Sequence, residues 1–166
     1  MSRLDLAVGQ ISRVREYTLR LLDNTNPAEW FRQPAEGVTH IAWQVGHLAM
    51  AEYRLGLERI RGKKPEDGQL ISEEFQTLFR RESMPDPDAK KYPDPIEIRT
   101  VLDRVHQRTL AELKTLPENM LDTPSTGPHP LFNTKLGALL WCAQHEMLHA
   151  GQIGLLRRLL GHAPIW

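Results

Sequence analysis

The sequence predicts an all-α fold, a four-helix bundle with one long connector. Apolar residues recur at three- and four-residue steps along four long segments, which is the pattern of amphipathic helices. No segment shows the sustained alternation that is typical of a β-strand. The connector between the second and third helices, residues 62–93, is long enough to cross the bundle and leave these two helices parallel.

The first two helices are predicted from their apolar faces and from residues suited to helix ends. The first helix covers residues 4–22, where leucine, valine and isoleucine form one face. The second helix runs from Thr39, a candidate N-cap, to Gly62, because glycine favours the end of a helix.

The third and fourth helices also carry recognisable ends. Asp94 can cap the third helix, Pro95 fits its first turn, and Pro117 stops it. The fourth helix starts at residue 133 or 134 and ends at Gly161. The connector holds four prolines, two glycines and many charges, and it predicts one short helix over residues 72–81. Two interpretations of the connector stay open, a solvated linker and a lid over a pocket.

The loops before the second and fourth helices resemble each other, and each is followed by a tryptophan with a histidine four residues later. The matching residues are Pro27, Pro34, Gly37, Trp43 and His47 in the first copy and Pro117, Pro124, Gly127, Trp141 and His145 in the second. The pattern indicates two related helical hairpins that bring His47 and His145 to matching depths in the core. Chance is the alternative, because proline and glycine are common in loops.

Length, charge and cysteine content restrict the class of protein. The chain of 166 residues predicts a single domain, 1–166. Lys and Arg together number 21, as do Asp and Glu, and this balance argues against nucleic-acid binding. The single cysteine excludes an intramolecular disulfide, and neither a signal-peptide core nor a membrane-spanning apolar run is present. We therefore expect a cytoplasmic protein with no nucleic-acid or membrane partner.

Three histidines form a candidate metal site. His145 and His149 are four residues apart and share one face of the fourth helix, a spacing at which two neutral imidazoles can bind one divalent ion. That face also carries apolar residues, so simple packing in the core is the alternative for this pair. His47, on the second helix, is the best placed third ligand, because its neighbours one turn away are also apolar.

The string from His145 to His149 also matches the His-Glu-x-x-His signature of zinc proteases, in which the glutamate acts as general base. That class needs a further ligand downstream, yet no Asp or Glu follows Glu146. Its folds also use a substrate-binding strand, and the sequence predicts none. A metalloprotease is therefore the less favoured interpretation.

These residues resemble the DinB-like superfamily, whose wider circle includes bacillithiol transferases and mycothiol-dependent maleylpyruvate isomerase. The resemblance is carried by Trp43 and His47 on the second helix and by His145-x-x-x-His149-x-Gly151-Gln152 on the fourth. It implies a bundle in up-down-down-up order, a homodimer, and a divalent metal held by His47, His145 and His149. Zinc or nickel is the expected metal, and iron or manganese would also accept imidazole ligands.

An open three-histidine site favours catalysis, because water or a thiol can occupy the free coordination position. With the resemblance, this leads to the hypothesis of a metal-dependent enzyme, a thiol transferase or a hydrolase. In the leading version, a low-molecular-weight thiol attacks an electrophilic small-molecule substrate. The alternative is a non-enzymatic, metal-stabilised dimer that acts in stress responses.

Four further residues are candidates for the surroundings of the metal. Gln152 could orient a ligating imidazole or simply pack between helices, and Trp43, like Trp141, could line the pocket or belong to the core. Glu146 could reach the site only from its edge, and we expect it at the surface or behind a ligand. Cys142 lies one turn before His145, so its thiol could be near the metal or could be buried and inert.

The remaining histidines are placed outside the ligand set. His40 is expected to be exposed or to cap the second helix, and His129 is expected at the mouth of the pocket. His106 and His162 carry no prediction of a role.

Overall fold

The computed structural model describes residues 1–165 and confirms the all-helical bundle. The helices are α1 (Arg3–Asp23), α2 (Ile41–Glu52), α3 (Arg59–Arg61), α4 (Asp67–Leu70), α5 (Glu73–Leu78), α6 (Pro95–Leu113) and α7 (Lys135–Leu159). A π-helical segment, Tyr53–Glu58, joins α2 to α3, so the predicted second helix is one continuous rod with a wider middle. Short 3₁₀ helices lie at Pro27–Glu29, Ala89–Lys91 and Glu118–Asp122.

Most predicted helix ends agree with the structure, and two differ. Asp94 caps α6, Thr134 caps α7, and Gly62 ends the second rod with a φ of 81°. The N-cap of α2 is His40 and not Thr39, because the imidazole Nδ1 of His40 accepts the hydrogen of the Trp43 amide.

The third helix ends earlier than the stop that Pro117 predicts. Its last helical residue is Leu113. A residue that precedes a proline is driven out of the helical conformation, so the chain leaves the helix before Pro117 is reached. The chain then turns into the short 3₁₀ helix ahead of α7.

Contacts between the long helices give their directions. Between α1 with the residues just after it and α7, Arg15 contacts Glu146 and Thr25 contacts Arg157. Between the second rod and α6, Glu52 contacts His106 and Arg61 contacts Glu112. Between that rod and the α7 region, His47 contacts His145 and Arg59 contacts Phe132. In the first two sets the residue numbers of both partners rise together, so α1 is parallel to α7 and the second rod is parallel to α6. In the third set the numbers of one partner rise while those of the other fall, so the second rod is antiparallel to α7. The order is therefore up-down-down-up, as the resemblance implied.

The two loops that repeat in sequence also share local structure. Pro27 begins a 3₁₀ helix and Pro117 caps another. Gly37 and Gly127 both adopt a positive φ, 75° and 73°, a region that L-residues with side chains rarely occupy. These matches support the internal repeat more strongly than the bare spacing of prolines and glycines does.

The connector is packed against the bundle, which excludes a solvated linker. Ser72 caps α5 at the predicted short helix, and Phe75 and Phe79 are buried in the main core. The ring of Phe79 lies so close to α2 that a Cβ at Gly46 would overlap it. Residues 79–86 then form a strap, which lies across α2 and makes the contacts described below.

The bundle core is divided into two apolar clusters. On α1, Ile11 belongs to one cluster and Leu21 to the other, and the buried Arg15 lies between them. No helix within residues 1–165 is both long enough and apolar enough to cross a membrane.

Candidate metal centre

The fold brings together His47 from α2 and His145 and His149 from α7. One ring nitrogen of each histidine lies within 4.8 Å of the others. The ring centroids of His145 and His149 are 4.5 Å apart, and that of His47 lies 5.3 Å and 4.7 Å from them. His47 is buried, and the other two are half-buried. The antiparallel packing of α2 and α7 therefore brings three histidines that are distant in sequence into one compact group of nitrogen ligands.

The tautomer of His47 is fixed by the strap. Its Nδ1 lies 2.8 Å from the carbonyl oxygen of Phe79. A carbonyl can only accept, so Nδ1 carries the hydrogen and the lone pair belongs to Nε2. Hydrogen bonds of this kind orient metal-binding imidazoles and increase their basicity.

The tautomer of His149 is fixed in the same way by a different residue, Gln44. The amide nitrogen of Gln44 donates to Thr39 Oγ1 at 3.2 Å, which turns its Oε1 toward Nδ1 of His149 at 2.5 Å. His149 therefore also presents the lone pair of Nε2. Gln44 is buried and lies one turn before His47 on the same helix.

Gln152 was expected either to orient a ligating imidazole or to pack between helices, and the structure places it next to His149. It is exposed on α7, and its side-chain hydrogen bond to His149 raises the pKa of that imidazole, the smallest of the influences on it. The Nδ1 hydrogen bond of His149 goes to Gln44. The signal that could have identified Gln44 was its position three residues before His47, inside an otherwise apolar helix.

The electrostatic environment keeps the three imidazoles neutral. Burial is the main cause, and it lowers the pKa of His47 and brings that of His145 to about 4 and that of His149 to about 3. Mutual repulsion among the rings lowers the pKa of His145 and His149 further. At neutral pH each ring therefore has a lone pair available for a cation.

Two tryptophans contact the histidine rings, and each also packs against the core. Trp43 stacks on His47 with ring centroids 4.8 Å apart, and its indole N–H donates to Ser83 Oγ in the strap. Trp141 lies 6.0 Å from His145. His129 lies against Trp141 at 6.5 Å, on the loop ahead of α7. Aromatic side chains thus cover the histidines on two sides.

Glu146 is not at the surface, which corrects one of the two places expected for it. Its side chain is 3% exposed, and it accepts from Nε and Nη2 of Arg15 at 2.7 Å and 3.0 Å. This carboxylate is held by a guanidinium on α1, so it does not serve as the general base that the protease signature would need. Its neighbour His145 faces the opposite helix, α2.

Cys142 is a buried thiol. Burial raises its pKa well above the ordinary value, and the nearby carboxylates of Glu52 and Glu146 raise it further. The thiol therefore stays protonated at neutral pH, and it packs in the apolar cluster that contains Ile11.

Arg15 organises a buried polar network that the sequence analysis missed. Besides Glu146, the guanidinium donates to Glu52 Oε2 at 2.7 Å and to the carbonyl of Leu102 at 3.2 Å. The other oxygen of Glu52 bonds to Nδ1 of His106 at 2.8 Å. These bonds join all four long helices. The signal was available in the sequence, since Arg15 lies on the apolar face of α1.

His40 caps α2, which is one of the two roles expected for it. Its side chain is fully buried, so the expectation of an exposed histidine is wrong. Its Nε2 bonds to the carbonyl of Asp86, and burial lowers its pKa to about 4. The reason is the strap, whose residues cover the first turn of α2 and remove this imidazole from solvent.

The donor set fits a divalent cation. Three neutral imidazole nitrogens lie within reach of one ion, and two of them are already oriented by acceptors behind the ring. Within residues 1–165, no carboxylate or thiol joins the group. An ion with three protein ligands keeps a coordination position for a small molecule.

Comparisons with known proteins agree with this arrangement. The model of the DinB superfamily matches residues 10–153, a range that includes all three histidines. No curated protein matches the sequence.

Two solved structures are similar over most of the chain. A conserved protein from Enterococcus faecalis is 18% identical, with a TM-score of 0.64 over 96% of this chain and 97% of that one. YfiT from Bacillus subtilis, described as a probable metal-dependent hydrolase with an unusual four-helix bundle topology, is 20% identical, with a TM-score of 0.63 over 96% and 89%. At these identities the likeness concerns the fold.

Proposed function

The chain belongs to the DinB superfamily, and from that premise we propose that it is a divalent-metal-dependent enzyme that transfers a low-molecular-weight thiol to an electrophilic small molecule. The observation that carries the proposal is the group of three neutral histidine nitrogens within 4.8 Å of one another. A closed structural site has four protein ligands, whereas this group has three. The metal would be zinc or nickel, with iron and manganese as the alternatives.

The residues of this chain have distinct parts in the reaction. His47, His145 and His149 would hold the ion, which supplies Lewis acidity and lowers the pKa of a thiol or water at its free position. Phe79 and Gln44 keep two of the rings in the tautomer that binds metal. In the reaction, the S–H bond and the bond from carbon to the leaving group are replaced by an S–C bond and a protonated leaving group.

The aromatic residues would exclude water from the reacting groups. Trp43 covers His47 on one side, and its hydrogen bond to Ser83 attaches it to the strap. Trp141 lies beside His145 on the other side. A thiolate is more reactive when few water molecules solvate it, so these apolar walls favour transfer of sulfur.

Hydrolysis is a second candidate, because water can occupy the same coordination position. The description of YfiT as a probable metal-dependent hydrolase favours it. A third possibility is the non-enzymatic dimer, in which the ion would only tie α2 to α7 and add stability.

One experiment separates these functions. The protein is purified, its metal content is measured, and samples loaded with zinc, nickel, iron or manganese are assayed with glutathione, bacillithiol and mycothiol against several electrophiles. We expect thiol consumption by wild type that is lost in His149→Ala and kept in His162→Ala, a matched control at a histidine beyond the end of α7. Ester or amide hydrolysis without thiol consumption would favour the hydrolase. A large fall in melting temperature in His149→Ala, with no turnover in either protein, would favour the structural role.

We also propose a homodimer, as the resemblance implies. Leu148, Leu155 and Leu159 are exposed by 59%, 49% and 57% on one face of α7. Such a face is a suitable contact between copies. Light scattering during size-exclusion chromatography should show a dimer for wild type and a monomer for Leu155→Glu, and a wild-type monomer would contradict this part of the proposal.

A further inference from the structure

The solvent-facing side of the histidine group lies on α7. His47 is buried and in contact with the strap, whereas His145 and His149 are half-buried. Trp43, on α2, is 8% exposed and its indole is bonded to the strap, so the site is closed on that side. The approach from solvent is therefore along α7, where the half-buried Trp141 lies 6.0 Å from His145, measured between ring centroids.

Aromatic rings continue outward from Trp141. The ring of His129 lies 6.5 Å from it, and Phe132 stacks on His129 with ring centroids 4.0 Å apart and an angle of 16° between the planes. All three residues are half-buried, so part of their surface remains in contact with solvent. We call His129, Phe132 and Trp141 together the aromatic rim. Partly exposed aromatic side chains are typical walls of sites for small molecules.

The loop that carries His129 and Phe132 is held in place by the second rod. Nη1 of Arg59 donates to the carbonyls of Thr126 and Gly127 at 2.8 Å and 2.9 Å. The same guanidinium lies 5.6 Å from the ring centroid of Phe132. A proline on each side of His129 restricts the backbone there. A surface that is already ordered loses little conformational entropy when a ligand binds to it.

The ring of His129 is neutral at neutral pH and lies close to a proposed metal ligand. Its Nδ1 accepts from the backbone N–H of Leu131 at 3.2 Å. Partial burial and the charge of Arg59 lower the pKa of His129, so the imidazole carries no charge. After burial and His47, His129 is a further cause of the low pKa of His145. The rim therefore offers flat, uncharged rings beside the histidine group.

The aromatic rim is free for the second reactant, because a low-molecular-weight thiol would occupy the coordination position of the ion. We infer that the aromatic rim binds an aromatic ring of the electrophile that reacts at the three histidines. The inference rests on the proposed function, and it narrows the electrophile to compounds that carry a planar aromatic group. Pairs of rings are stabilised beyond the area that they bury, which favours an aromatic group over a saturated one of equal size by roughly two- to tenfold in affinity.

The first arm of the test measures binding to metal-free protein. Acetanilide and N-cyclohexylacetamide, which carry the same amide and differ in the aromatic character of the ring, are titrated into the protein and followed by NMR. The indole resonance of Trp141, assigned with the Trp141→Phe variant, should shift with acetanilide, while that of the buried Trp30 should not. Acetanilide should bind roughly two- to tenfold more tightly than its saturated analogue. A Trp141 resonance that does not move, or equal affinities of the two amides for wild type, would overturn the inference.

A variant in the loop tests the rim without changing the core. His129→Leu removes one ring of the rim and keeps an apolar side chain, and His162→Leu is the matched control at a histidine beyond the end of α7. The preference for acetanilide should fall by at least about twofold in His129→Leu and stay unchanged in His162→Leu. An unchanged preference in a His129→Leu protein that is folded by circular dichroism would contradict the rim.

The second arm tests the rim in the reaction. Metal-loaded protein and a thiol that it consumes are assayed with 2-chloro-N-phenylacetamide and 2-chloro-N-cyclohexylacetamide, which share the reactive carbon and the leaving group. The thiol sulfur forms a bond to that carbon, chloride leaves, and the thiol proton goes to solvent. The KM of the phenyl compound should be roughly two- to tenfold lower, and this advantage should fall in His129→Leu. Equal KM values for wild type would overturn the assignment to the electrophile.

The two arms also separate this inference from the proposed function. Binding of acetanilide to metal-free protein depends neither on the ion nor on turnover. Absence of turnover with every electrophile would therefore contradict the metal-dependent transferase, while failure of acetanilide to shift the Trp141 resonance would contradict the aromatic rim.

Discussion

Replacing Arg15 by methionine tests the buried network at the centre of the bundle. Methionine keeps much of the aliphatic volume and removes the guanidinium, which leaves Glu52 and Glu146 buried without their shared partner. Removing one member of a buried ion pair costs about 3–5 kcal/mol, because the remaining charge is left uncompensated. With a urea slope of roughly 2 kcal/mol/M for a domain of this size, the midpoint should fall by roughly 1.5–2.5 M.

The loss of stability in Arg15→Met should also depend on pH, and the direction of this dependence follows from the pKa of Glu52. Burial alone would raise the pKa of Glu52, but Arg15 and His106 hold it below the ordinary value in wild type. In wild type, ionised Glu52 therefore stabilises the fold at pH values above the pKa that this residue has in the unfolded chain. That stabilisation is lost as pH falls through the lower pKa of Glu52 in the folded protein. In Arg15→Met, burial dominates, so the folded pKa rises above the unfolded one. The variant then becomes less stable as pH rises, and its deficit should be larger at pH 8 than at pH 5.

The assay is urea unfolding of metal-free protein at 25 °C, followed by far-UV circular dichroism at several pH values. A triple variant, Arg15→Met/Glu52→Gln/Glu146→Gln, is the control, because it removes the unpaired carboxylates and should recover much of the lost stability. A loss below about 1 kcal/mol in Arg15→Met, or a deficit that does not shrink at low pH, would refute the role assigned to the network.

Three further predictions concern the histidines and their supports. Gln44→Ala should weaken zinc binding about 10–100-fold by competition titration, because His149 loses its orienting acceptor, while Gln107→Ala, at an exposed amide on α6, should not; equal affinities would contradict the assignment. Gly46→Ala should destabilise the protein by about 1–3 kcal/mol in urea unfolding, since the added methyl overlaps Phe79, and unchanged stability would contradict this packing. Zinc affinity should vary little between pH 6 and 8, because the pKa values of His145 and His149, about 4 and about 3, lie below that range; a tenfold fall at pH 6 would indicate ordinary imidazoles.

The sequence predicts what depends on local pattern. The spacing of His145 and His149 places both rings on one helix face whatever the rest of the chain does. Asp94 and Thr134 cap their helices by accepting from backbone groups three residues away, so these helix starts can also be predicted from the local sequence. The length of the connector permits parallel second and third helices, whereas the full up-down-down-up order was implied by the resemblance.

Contacts between distant residues could not be predicted in the same way. The strap reaches His40 and His47 through the carbonyls of Asp86 and Phe79, groups that every residue possesses, so no sequence signal identifies them. Gln44 and Gln152 are equally suited amides, and only the packing of α2 on α7 brings Gln44 to Nδ1 of His149. The burial of Arg15 depends on two carboxylates from other helices.

The central claim is that His47, His145 and His149 together hold one divalent ion. The most direct measurement is elemental analysis after zinc loading and gel filtration, made on wild type, on each single alanine variant of these histidines, and on His162→Ala. One zinc per chain should remain in wild type and in His162→Ala, and each of the three variants should lose it while staying folded by circular dichroism. Absence of zinc from wild type, or full retention by a folded His47→Ala protein, would contradict the claim.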